Sequence, residues 1–577
     1  MPLRRVLSAL LGAAIAAAPA PVRGQDPAAD WAVLPGFRLD VAASGLRYPT
    51  AIAFVPRPGD QPSDPLYFVA ELGGRIKVVT RNGEVHTFAE GFARFTVATS
   101  GPVGDGENGT AGLCLDPERG FVFVTFVYRD TLNVLRNGMA RFDTRPGTFA
   151  VKPVAQLALL SDVLARDTSA VSHQIGPCQV QDGAVFVAVG DGTRHQRSRD
   201  PQSSLGKVLR ITAEGAPFPG NPYLGSGLPG AAPYVWVTGV RNVFSLRAVA
   251  GRLFAAENGP SFDRFLELRR GEDYGWDGSE WSIGRNAPFV FVPAVSPVQM
   301  DYYPEGSTVF PPEFRRLFYL ATAGETTELG AGVTGGKSVI MLSYDLAARQ
   351  TRGKPAHLLR YVGQGHGSLA ALAFGPDGLY FAPLFPGADG SSRVFRISYE
   401  AGRPHRMTID IRQDARTIIL EKGCLGCHQI GERGGTVGPA LDPGELGARL
   451  GARLKDEDYL DSLRALDRRA EEPFPNTRSA RRAVAAAEGH DRVKEWLVQR
   501  LLDPRFDMPA ASMPDPGLTE REARVVAEFL AGRPVEPPGL VGRLREKIPP
   551  ARYRYVVVSF LLGFALAALL TRSRRKA

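Results

Sequence analysis

Residues 66–79 read LYFVAELGGRIKVV, two runs of aromatic, β-branched and small apolar residues on either side of a Gly-Gly pair. This pattern is typical of two β-strands joined by a turn. Comparable runs recur at intervals of roughly 50–80 residues, the length of a propeller blade of about four strands. They are FVFVTFVYRD at 121–130, AVFVAVGDG at 184–192, LFAAENGP at 253–260, LFYLATAG at 317–324 and LYFAPLF at 379–385. The sequence therefore predicts an all-β propeller over residues 31–400.

The pattern alone leaves two points open. The spacing of the runs is too irregular to fix the number of blades, and a pair of β-sandwiches remains an alternative. Few helical stretches interrupt the β-rich runs before residue 400, which argues against a Rossmann or α/β-barrel enzyme.

Positive charge is concentrated near the two ends of the 577-residue chain. Hydrophobic residues make up 44% and charged residues 22% of the chain, a balance typical of folded globular units. The formal net charge is +9, but the excess of basic residues flanks apolar segments at the termini. The chain between them is close to neutral, so we expect no broad cationic surface and no nucleic-acid partner.

The apolar segments at both ends predict export and membrane attachment. Residues 1–25 contain two consecutive arginines, an apolar run and then small residues, the order of a secretory signal peptide. An uncleaved anchor is the alternative. Residues 553–571 contain the uncharged run YVVVSFLLGFALAALL between basic clusters, which predicts a transmembrane helix, with a buried C-terminal helix as the alternative. Together they predict a periplasmic protein held at the inner membrane by its C-terminal helix.

A haem-attachment motif, CLGCH, follows the β-rich region at residues 424–428. In such a motif Cys424 and Cys427 form thioethers with the haem, and His428 ligates the iron. A zinc site would need a second pair of ligands nearby, but the other two cysteines lie far upstream. The sequence therefore predicts haem c in a small all-α domain over residues 410–535.

The sixth iron ligand is predicted to be a methionine. Met513 precedes a stretch in which Thr519 and Glu522 form a capping box and Val525, Val526, Phe529 and Leu530 mark the apolar face of a helix. This stretch resembles the ligand loop and last helix of class I cytochromes c. Met508 is the alternative ligand. The charged residues 455–490 between motif and loop are predicted to form a solvated helix, with a partner-facing insertion as the alternative.

Seven short motifs run through the β-rich region in a fixed order. They are ENGTAGLCLDP at 107–117, SHQIG at 172–176, VGDG at 189–192, SSLGKVLRI at 203–211, GVRN at 239–242, ENGPSFD at 257–263 and DYGW at 273–276. In this order they resemble the glucose/sorbosone dehydrogenases, over roughly residues 36–398. The resemblance implies a six-bladed propeller that binds pyrroloquinoline quinone (PQQ) and Ca²⁺ and oxidises an aldose or alcohol by hydride transfer to the quinone.

The resemblance also assigns catalytic roles. His173 matches the family's catalytic base, which takes the hydroxyl proton as the hydride leaves. Asp191 would hold the imidazole in the required tautomer. Arg241 matches the arginine near the quinone carbonyls, and Asn242 follows it as in the family. Each of these residues also has a purely structural alternative, such as a turn or an ion pair.

The remaining cofactor contacts follow from the same resemblance. Glu107 and Asn108 match positions near the cofactor, and Gly259 and Pro260 match the pair whose backbone carbonyls ligate Ca²⁺. Lys337 is the candidate for the family's cofactor lysine, with a solvated loop residue as the alternative.

Two features of the sequence depart from the family or extend it. The family's late arginine-bearing turn reads GSLAALAFGPDGLYF at 367–381, without an arginine, and His366 before it is a candidate for the substrate rim. Cys114 and Cys178 each lie five residues after a comparable point, so equivalent positions on neighbouring inner strands are expected. A disulfide between them remains open.

Together these features predict a membrane-tethered quinohaemoprotein. Electrons from a sugar, sugar aldehyde or polyol would pass from PQQ to haem c and then to a respiratory cytochrome or oxidase. Two alternatives remain. In one, a cofactor-free propeller is a binding module beside an electron-transfer cytochrome. In the other, the chain is a haem reductase of nitrite-reductase type, which would need a second haem for which no ligands are found.

Overall fold

The computed structural model describes most of the β-rich region and of the region that follows it. The described residues are 28–92, 96–98, 107–260, 262–279, 282, 286–292, 294–324, 337–352, 354–363, 367–387, 389–401, 415–471, 474–532, 558 and 560–563. The predicted signal in residues 1–25, most of the predicted anchor in residues 553–571 and His366 lie outside them. Within the described residues, no helix is long and apolar enough to cross a membrane.

The strands of the β-rich region form six antiparallel sheets of four or more strands, one for each blade of a propeller. Two strands precede the first complete blade, β1 (Trp31–Val33) and β2 (Phe37–Leu46). Blade 1 is β3 (Pro49–Phe54), β4 (Pro65–Glu71), β5 (Arg75–Thr80) and β6 (Val85–Glu90). Blade 2 is β7 (Thr110–Asp116), β8 (Phe121–Arg129), β9 (Leu135–Asp143) and β10 (Ala155–Leu159), followed by the short helix α1 (Ser161–Leu164).

The other four blades follow in chain order. Blade 3 is β11 (Ile175–Gln181), β12 (Ala184–Val189), β13 (Lys207–Ile211) and β14 (Val235–Val237). Blade 4 is β15 (Val243–Val249), β16 (Arg252–Glu257), β17 (Asp263–Leu268) and β18 (Phe289–Phe291). Blade 5 is β19 (Pro297–Tyr303), β20 (Leu317–Thr322), β21 (Ser338–Asp345), β22 (Gln350–Thr351) and β23 (Ala356–Tyr361). Blade 6 is β24 (Leu369–Phe374), β25 (Leu379–Pro383) and β26 (Ser392–Tyr399).

The N-terminal strands close the ring. β2 pairs with β26 from Phe37–Tyr399 to Leu46–Ser392 and supplies the fourth strand of blade 6. β1 pairs with β23 at the edge of blade 5. The first strands of the chain thus complete the last blades, which leaves no open gap between blades 6 and 1. The predicted propeller, with the six blades that the resemblance implied, is confirmed, and the alternative of two β-sandwiches is wrong.

Aromatic side chains fill the space between neighbouring blades. Phe88 of blade 1 packs edge to face against Phe68 of its own blade and against Phe142 of blade 2, with ring centroids 5.0 and 5.7 Å apart. All three are at most 1% exposed. Burial of one such ring stabilises the fold by roughly 1.5–3 kcal/mol, so these contacts hold the blades together without hydrogen bonds between sheets.

A disulfide joins two of the blades directly. Cys114 lies in β7 and Cys178 in β11, the innermost strands of blades 2 and 3, and their Cα atoms are 5.7 Å apart. The expected equivalence of the two positions is confirmed, and the open question of their pairing is answered. A disulfide of this kind is typical of a protein folded in an oxidising compartment.

We expect the double substitution Cys114→Ser/Cys178→Ser to lower the free energy of unfolding of the propeller by about 2–4 kcal/mol, because the crosslink no longer restricts the unfolded chain. Equilibrium denaturation followed by circular dichroism measures the change. A reducing agent should destabilise the wild-type protein and leave the double variant unaffected. An equal response of both proteins would contradict the expectation.

The chain divides into two compact units, residues 1–438 with 514–518 and residues 439–513 with 519–577. After the propeller, the first unit contains α2 (Ala415–Glu421), β27 (Gln429–Ile430) and β28 (Arg433–Gly434). The second unit contains α3 (Glu445–Arg453), α4 (Glu457–Leu466), α5 (Arg478–Ala486), α6 (Gly489–Leu502) and α7 (Glu520–Ala531). The C-terminal region is thus largely helical, and the CLGCH motif belongs to the first unit.

The predicted capping box at the start of α7 is present. Thr519 Oγ1 accepts a hydrogen bond from Glu522 N at 3.2 Å, and Thr519 N donates to Glu522 Oε2 at 2.8 Å. The buried face of the helix differs in part from the prediction, because Val525 and Phe529 are only partly buried. The buried residues are Ala523, Val526, Ala527, Leu530 and Ala531.

The prediction of one solvated helix over residues 455–490 is wrong. This stretch forms α4 and α5, and Arg481 in α5 is only 1% exposed. Its guanidinium donates to Asp467 Oδ1 at 2.7 Å and to the backbone oxygens of Phe474 and Phe506 at 2.7 and 3.0 Å. An arginine that is buried and bonded to this many acceptors contributes to the packing of the helices. Its charge in the sequence suggests an exposed residue, so its burial could not be predicted.

Candidate active site

A cavity of about 390 Å³ lies where the inner strands of all six blades meet. Its volume is within the range of small-molecule binding pockets. The polar residues of its wall include Tyr48, Thr50, Glu107, Asn108, Thr110, Ser245, Asn258, Ser296, Gln299 and Ser368. Leu72, Phe244, Val298, Leu384 and Phe385 are among the apolar ones. The wall thus combines an apolar surface with a limited set of hydrogen-bonding groups.

Each inner strand carries a register shift near its first residue, and these irregularities form the cavity wall. The residues at the shifts are Thr50, Ala111, Gly176, Pro177, Phe244, Val298, Gln299 and Ala370, and all of them line the cavity. A bulge takes a residue out of the strand pairing and bends the strand. The six blades therefore present irregular backbone at the same level of the axis, which is where a ligand would be bound.

Two glycines allow blades 2, 3 and 4 to approach closely beside the cavity. A Cβ atom on Gly112 would lie 2.6 Å from the carbonyl oxygen of Gly176. A Cβ atom on Gly176 would lie 2.5 Å from the carbonyl oxygen of Val243. Thr125 Oγ1 bridges the two glycines, accepting from Gly112 N at 2.7 Å and donating to Gly176 O at 2.5 Å. Any larger residue would push these strands apart.

His173 and Asp191 form a hydrogen-bonded pair at one end of blade 3. His173 precedes β11 and Asp191 follows β12, and Nδ1 of the imidazole is 2.6 Å from Asp191 Oδ1. The two side chains are 10% and 2% exposed. Because an ionised carboxylate only accepts hydrogen bonds, Nδ1 carries the proton and Nε2 is left with a free lone pair. The imidazole is therefore in the tautomer that a general base requires.

The backbone of His173 is in the left-handed region, with φ of 57°. This conformation is uncommon for a residue with a side chain and is found at functional sites. Gly190 makes it feasible, because a Cβ atom at Gly190 would lie 2.5 Å from the carbonyl carbon of His173. Gly192 N donates to the same carbonyl at 2.9 Å. The glycines of the VGDG motif thus hold His173 in place.

Asp191 is a stabilised carboxylate. Burial favours its neutral form, but hydrogen bonds and charge from His173, and hydrogen bonds from Trp276 and Thr193, outweigh burial and lower the pKa of Asp191. The Trp276 indole Nε1 donates to Oδ2 at 2.7 Å, and Thr193 N donates to Oδ1 at 2.9 Å. The carboxylate is therefore ionised at neutral pH and available to orient His173.

Arg241 lies next to this pair. Its backbone oxygen accepts from Asp191 N at 2.7 Å, and its Nη1 donates to the backbone oxygen of Asn258 at 2.7 Å. Asn258 itself lines the cavity. Arg241 N donates to Glu257, and the residue is only 5% exposed. The structure thus brings together His173, Asp191 and Arg241, which the sequence predicted as a group.

A buried ion pair fixes the loops around Arg241. Glu257 and Arg264 are bonded to each other, and both side chains are 0% exposed. Arg264 also donates to the backbone oxygens of Tyr274 at 2.7 Å and Gly239 at 3.1 Å. This one guanidinium therefore connects the ENGPSFD, DYGW and GVRN motifs.

We expect Arg264→Met to lower the free energy of unfolding of the propeller by about 3–5 kcal/mol, since it leaves the Glu257 carboxylate buried without its partner. Thermal or chemical denaturation measures the effect. Arg197→Met is the matched control, because its ion pair with Asp200 is largely exposed and is worth less than about 1 kcal/mol. Similar losses of unfolding free energy in the two variants would show that the buried Glu257–Arg264 pair stabilises the propeller no more than an exposed ion pair does.

Glu107 joins three blades at the cavity wall. Its Oε2 accepts from His173 N at 3.0 Å, and its two oxygens accept from Asn242 Nδ2 at 3.3 and 3.2 Å. The neighbouring Asn108 is buried and accepts a hydrogen bond from Gln174. Glu107, Asn108 and Asn242 therefore lie in one network with His173.

The predicted calcium ligands lie on a loop held by a buried carboxylate. Gly259 N donates to Asp263 Oδ1 at 3.0 Å, and Val295 N and Ser296 N donate to Oδ2 at 2.6 and 2.7 Å. Complete burial raises the pKa of Asp263 to about 7 in spite of these hydrogen bonds. Among the described residues, no cluster of three or more His, Cys, Asp or Glu side chains could hold a metal ion. The site at Gly259 and Pro260 relies on backbone carbonyls and stays a prediction.

The cavity wall contains polar atoms without a protein partner. Thr110 Oγ1, Ser245 Oγ and Asn258 Oδ1 are buried and have no hydrogen-bond partner among the described residues. Buried polar atoms cost free energy unless a ligand or water satisfies them, so the wall fits a polar ligand. Glu107 is the one charged residue of the described wall, and no described wall residue is cationic. The wall therefore fits the polar atoms of PQQ better than its carboxylates. Arg241, whose guanidinium donates to the backbone oxygen of Asn258, is not itself a residue of the described wall.

Two further predictions concern Lys337 and the turn without an arginine. Lys337 is outside the described wall, but Ser338 after it pairs with Thr322, which is adjacent to wall residue Ala323. The turn without an arginine contributes Ser368 and Leu369 to the wall. The structure thus leaves the role of Lys337 as a prediction.

The CLGCH motif is compact. Cys424–Gly426 form a 3₁₀ turn, and His428 N donates to Cys424 O at 2.9 Å. Neither Cys424 nor Cys427 is in a disulfide, and burial raises the pKa of the Cys424 thiol to about 11. A Cβ atom on Gly438 would lie 2.4 Å from His428 Cε1, so this glycine provides the space for the imidazole. Met513 and Met508 belong to the second unit, and their ligand roles stay predictions.

Sequence reasoning missed two residues of the site. For Trp276, in the DYGW motif, the sequence indicates no more than core packing, but its indole N–H is bonded to Asp191. Gln299 in β19 accepts from Ile52 N at 3.1 Å and Leu372 N at 2.9 Å, which joins blade 5 to blades 1 and 6 at the cavity wall. Nothing in the sequence distinguishes these side chains from other buried or loop residues, because their partners lie in distant motifs.

Residues 46–287 match the sequence model of the family described as Glucose / Sorbosone dehydrogenase. Over these residues the propeller is similar to this family. The matched residues contain the His173, Asp191 and Arg241 group and the calcium-site loop, and they end before blade 5. The cavity wall supplied by blades 5 and 6 therefore lies outside the match.

Individual relatives are similar to part of the chain. An uncharacterised protein of Synechocystis is 25% identical over 270 residues, 44% of this chain and 62% of that protein. The aldose sugar dehydrogenase YliI of Escherichia coli is 27% identical over 104 residues, 18% of this chain and 28% of that protein. The chain therefore spans less than two thirds of the length of either relative.

One solved structure is also similar to part of the chain. The PQQ-bound aldose sugar dehydrogenase of Streptomyces coelicolor has 20% sequence identity and a TM-score of 0.46, over 64% of this chain and 100% of that one.

Proposed function

We propose that the propeller is a PQQ- and Ca²⁺-dependent dehydrogenase that oxidises a sugar, sugar aldehyde or related polyol. The observation that carries the proposal is the His173–Asp191 pair, in which Nε2 is left as a proton acceptor and the backbone N of His173 donates to Glu107 of the cavity wall. The family match supports the reaction class. The sugar dehydrogenases among the relatives support the substrate class.

Each residue of the site has a distinct task in this reaction. When bound, PQQ supplies an electrophilic quinone carbon that accepts a hydride. His173 Nε2 takes the proton of the substrate hydroxyl, and Asp191 stabilises the resulting imidazolium. Arg241 and Asn242 would lie near the cofactor oxygens, where the charge of Arg241 would stabilise developing negative charge. Glu107 and Asn108 position this edge of the site, and the carbonyls of Gly259 and Pro260 hold Ca²⁺.

The rest of the chain would carry the electrons away. In this proposal Cys424 and Cys427 bind haem c, His428 ligates its iron, and Met513 or Met508 is the sixth ligand. The signal in residues 1–25 directs the protein to the periplasm, and the anchor in residues 553–571 keeps it near a respiratory cytochrome or oxidase.

Reconstitution tests the dehydrogenase directly. The full-length protein is loaded with PQQ and Ca²⁺ and given aldoses, sugar aldehydes and polyols together with an electron-accepting dye. We expect dye reduction that requires both PQQ and one of these substrates. A protein that binds PQQ and yet oxidises none of them would contradict the proposed activity.

The cofactor-free binding module remains the second candidate. It is favoured by the lack of a cationic residue in the described cavity wall and by the missing arginine in residues 367–381. Equilibrium titration with PQQ and Ca²⁺ separates the two candidates, because a binding module would show no saturable PQQ binding.

A further inference from the structure

We propose that Trp276 is a positioning residue that couples the Asp191–His173 pair to Arg241. The inference rests on the function proposed above and deepens it, since it assigns a role to a side chain that touches neither substrate nor cofactor in the proposed reaction.

The first contact is with the carboxylate. Asp191 uses Oδ1 for His173 and Oδ2 for the indole Nε1 of Trp276, at 2.6 and 2.7 Å. The side-chain torsion of a free carboxylate is broadly distributed. With one oxygen held by the indole, the other stays directed at the imidazole. Trp276 therefore sets the orientation of Asp191, and Asp191 in turn sets the orientation of His173.

The second contact is with the cation. The guanidinium carbon of Arg241 lies 5.6 Å from the centre of the Trp276 ring, within the range of a cation–π interaction. The backbone oxygen of Arg241 accepts from Asp191 N at 2.7 Å, which closes a triangle of three residues. A displacement of Trp276 would thus change the positions of both the base, His173, and the cation, Arg241.

The tryptophan itself is held firmly. It is 4% exposed, and its backbone N donates to Gly239 O at 3.0 Å. Gly239 has a φ of 75°, and a Cβ atom there would lie 2.5 Å from Gly275 N, so only glycine allows the DYGW segment to lie against GVRN. The buried Arg264 donates to the backbone oxygens of both segments. These contacts make Trp276 a fixed point against which Asp191 is oriented.

The test compares two tryptophan-to-phenylalanine variants of the full-length protein. Trp276→Phe keeps an aromatic ring beside Arg241 and removes only the N–H that bonds Asp191. Trp236→Phe is the control, because the Trp236 indole N–H is buried without a partner among the described residues and lies in β14, outside the site. Both variants are loaded with PQQ and Ca²⁺, and kcat, PQQ affinity and the pH profile are measured.

We expect Trp276→Phe to lower kcat by about 10–100-fold, the effect of losing a hydrogen bond to a charged group, while PQQ affinity changes by less than about threefold. The groups facing Asp191 are His173, Thr193, Trp276 and the backbone of Arg241. Loss of the indole donor raises the pKa of Asp191. As the pH is lowered, activity should therefore be lost at a higher pH in Trp276→Phe than in the wild type. Trp236→Phe should leave all three quantities unchanged. Equal behaviour of the two variants, or a parallel loss of kcat and PQQ affinity in Trp276→Phe, would overturn the inference.

A measurement without turnover separates this inference from the proposed function. In apoprotein labelled with ¹⁵N-tryptophan, Asp191→Asn should displace the indole N–H resonance of Trp276 and leave that of Trp236 in place. If the wild type oxidises no substrate but this displacement occurs, the proposed function fails and the contact stands. If the Trp276 resonance does not move, the inference fails whatever the enzyme does.

Discussion

Replacing His173 with alanine is expected to lower kcat for the PQQ-dependent oxidation of a sugar by about 10²–10⁴-fold, the usual contribution of a positioned general base. The physical reason is the tautomer: Asp191 holds the proton on Nδ1, and Nε2 is the proton acceptor of the site. Steady-state kinetics with an artificial dye measures the loss, since the dye bypasses the haem.

Two further variants make this result specific. Asp191→Asn should cause a loss of similar size, because an amide can donate to Nδ1 and so favour the wrong tautomer. His86→Ala should have no effect, because His86 is a partly exposed residue in β6 of blade 1 and does not line the cavity. PQQ affinity should be retained in all three proteins. Full activity of His173→Ala would remove the basis of the proposed mechanism.

Replacing both motif cysteines, in Cys424→Ala/Cys427→Ala, is expected to abolish covalent haem attachment, because no thiol remains to form a thioether. The denatured protein should then lose its haem absorbance on extraction, which pyridine haemochrome spectra measure. Dye-linked sugar oxidation should stay within about twofold of the wild type, because the propeller site lies in other residues. Transfer of electrons to a soluble cytochrome should be lost.

Methionine variants of the protein with both motif cysteines intact identify the sixth ligand. Leucine at the ligand position removes the thioether and lowers the haem reduction potential, whereas leucine at the other position leaves it unchanged. We expect Met513→Leu to be the variant that lowers the potential and Met508→Leu to be the control. Covalent haem retained in Cys424→Ala/Cys427→Ala would contradict the attachment site itself.

The propeller could be predicted from the sequence because its determinants are local. Each blade contains an apolar run that ends in a glycine or acidic turn, and such patterns depend only on strand periodicity and turn chemistry. The number of blades could not be predicted from spacing, because loops such as the one between β13 and β14 vary in length. The closure of the ring by β2 also depends on two segments at opposite ends of the propeller.

The candidate site could be predicted only where a motif carries it. His173, Asp191 and Arg241 lie in short motifs, and the structure brings them together. Trp276 and Gln299 act through partners that are distant in sequence, so their hydrogen bonds left no local pattern. The buried Arg481 shows the same limit in the helical unit, because the sequence gives its charge but not its burial.

Reduction of the haem by a sugar tests the central claim most directly. The full-length protein, with oxidised haem, is loaded with PQQ and Ca²⁺ without oxygen and mixed with candidate sugars, sugar aldehydes and polyols while the haem spectrum is followed. We predict that the reduced haem band appears with at least one substrate, only when PQQ is present, and not in His173→Ala. A haem that stays oxidised with every substrate in PQQ-loaded wild-type protein would contradict the account.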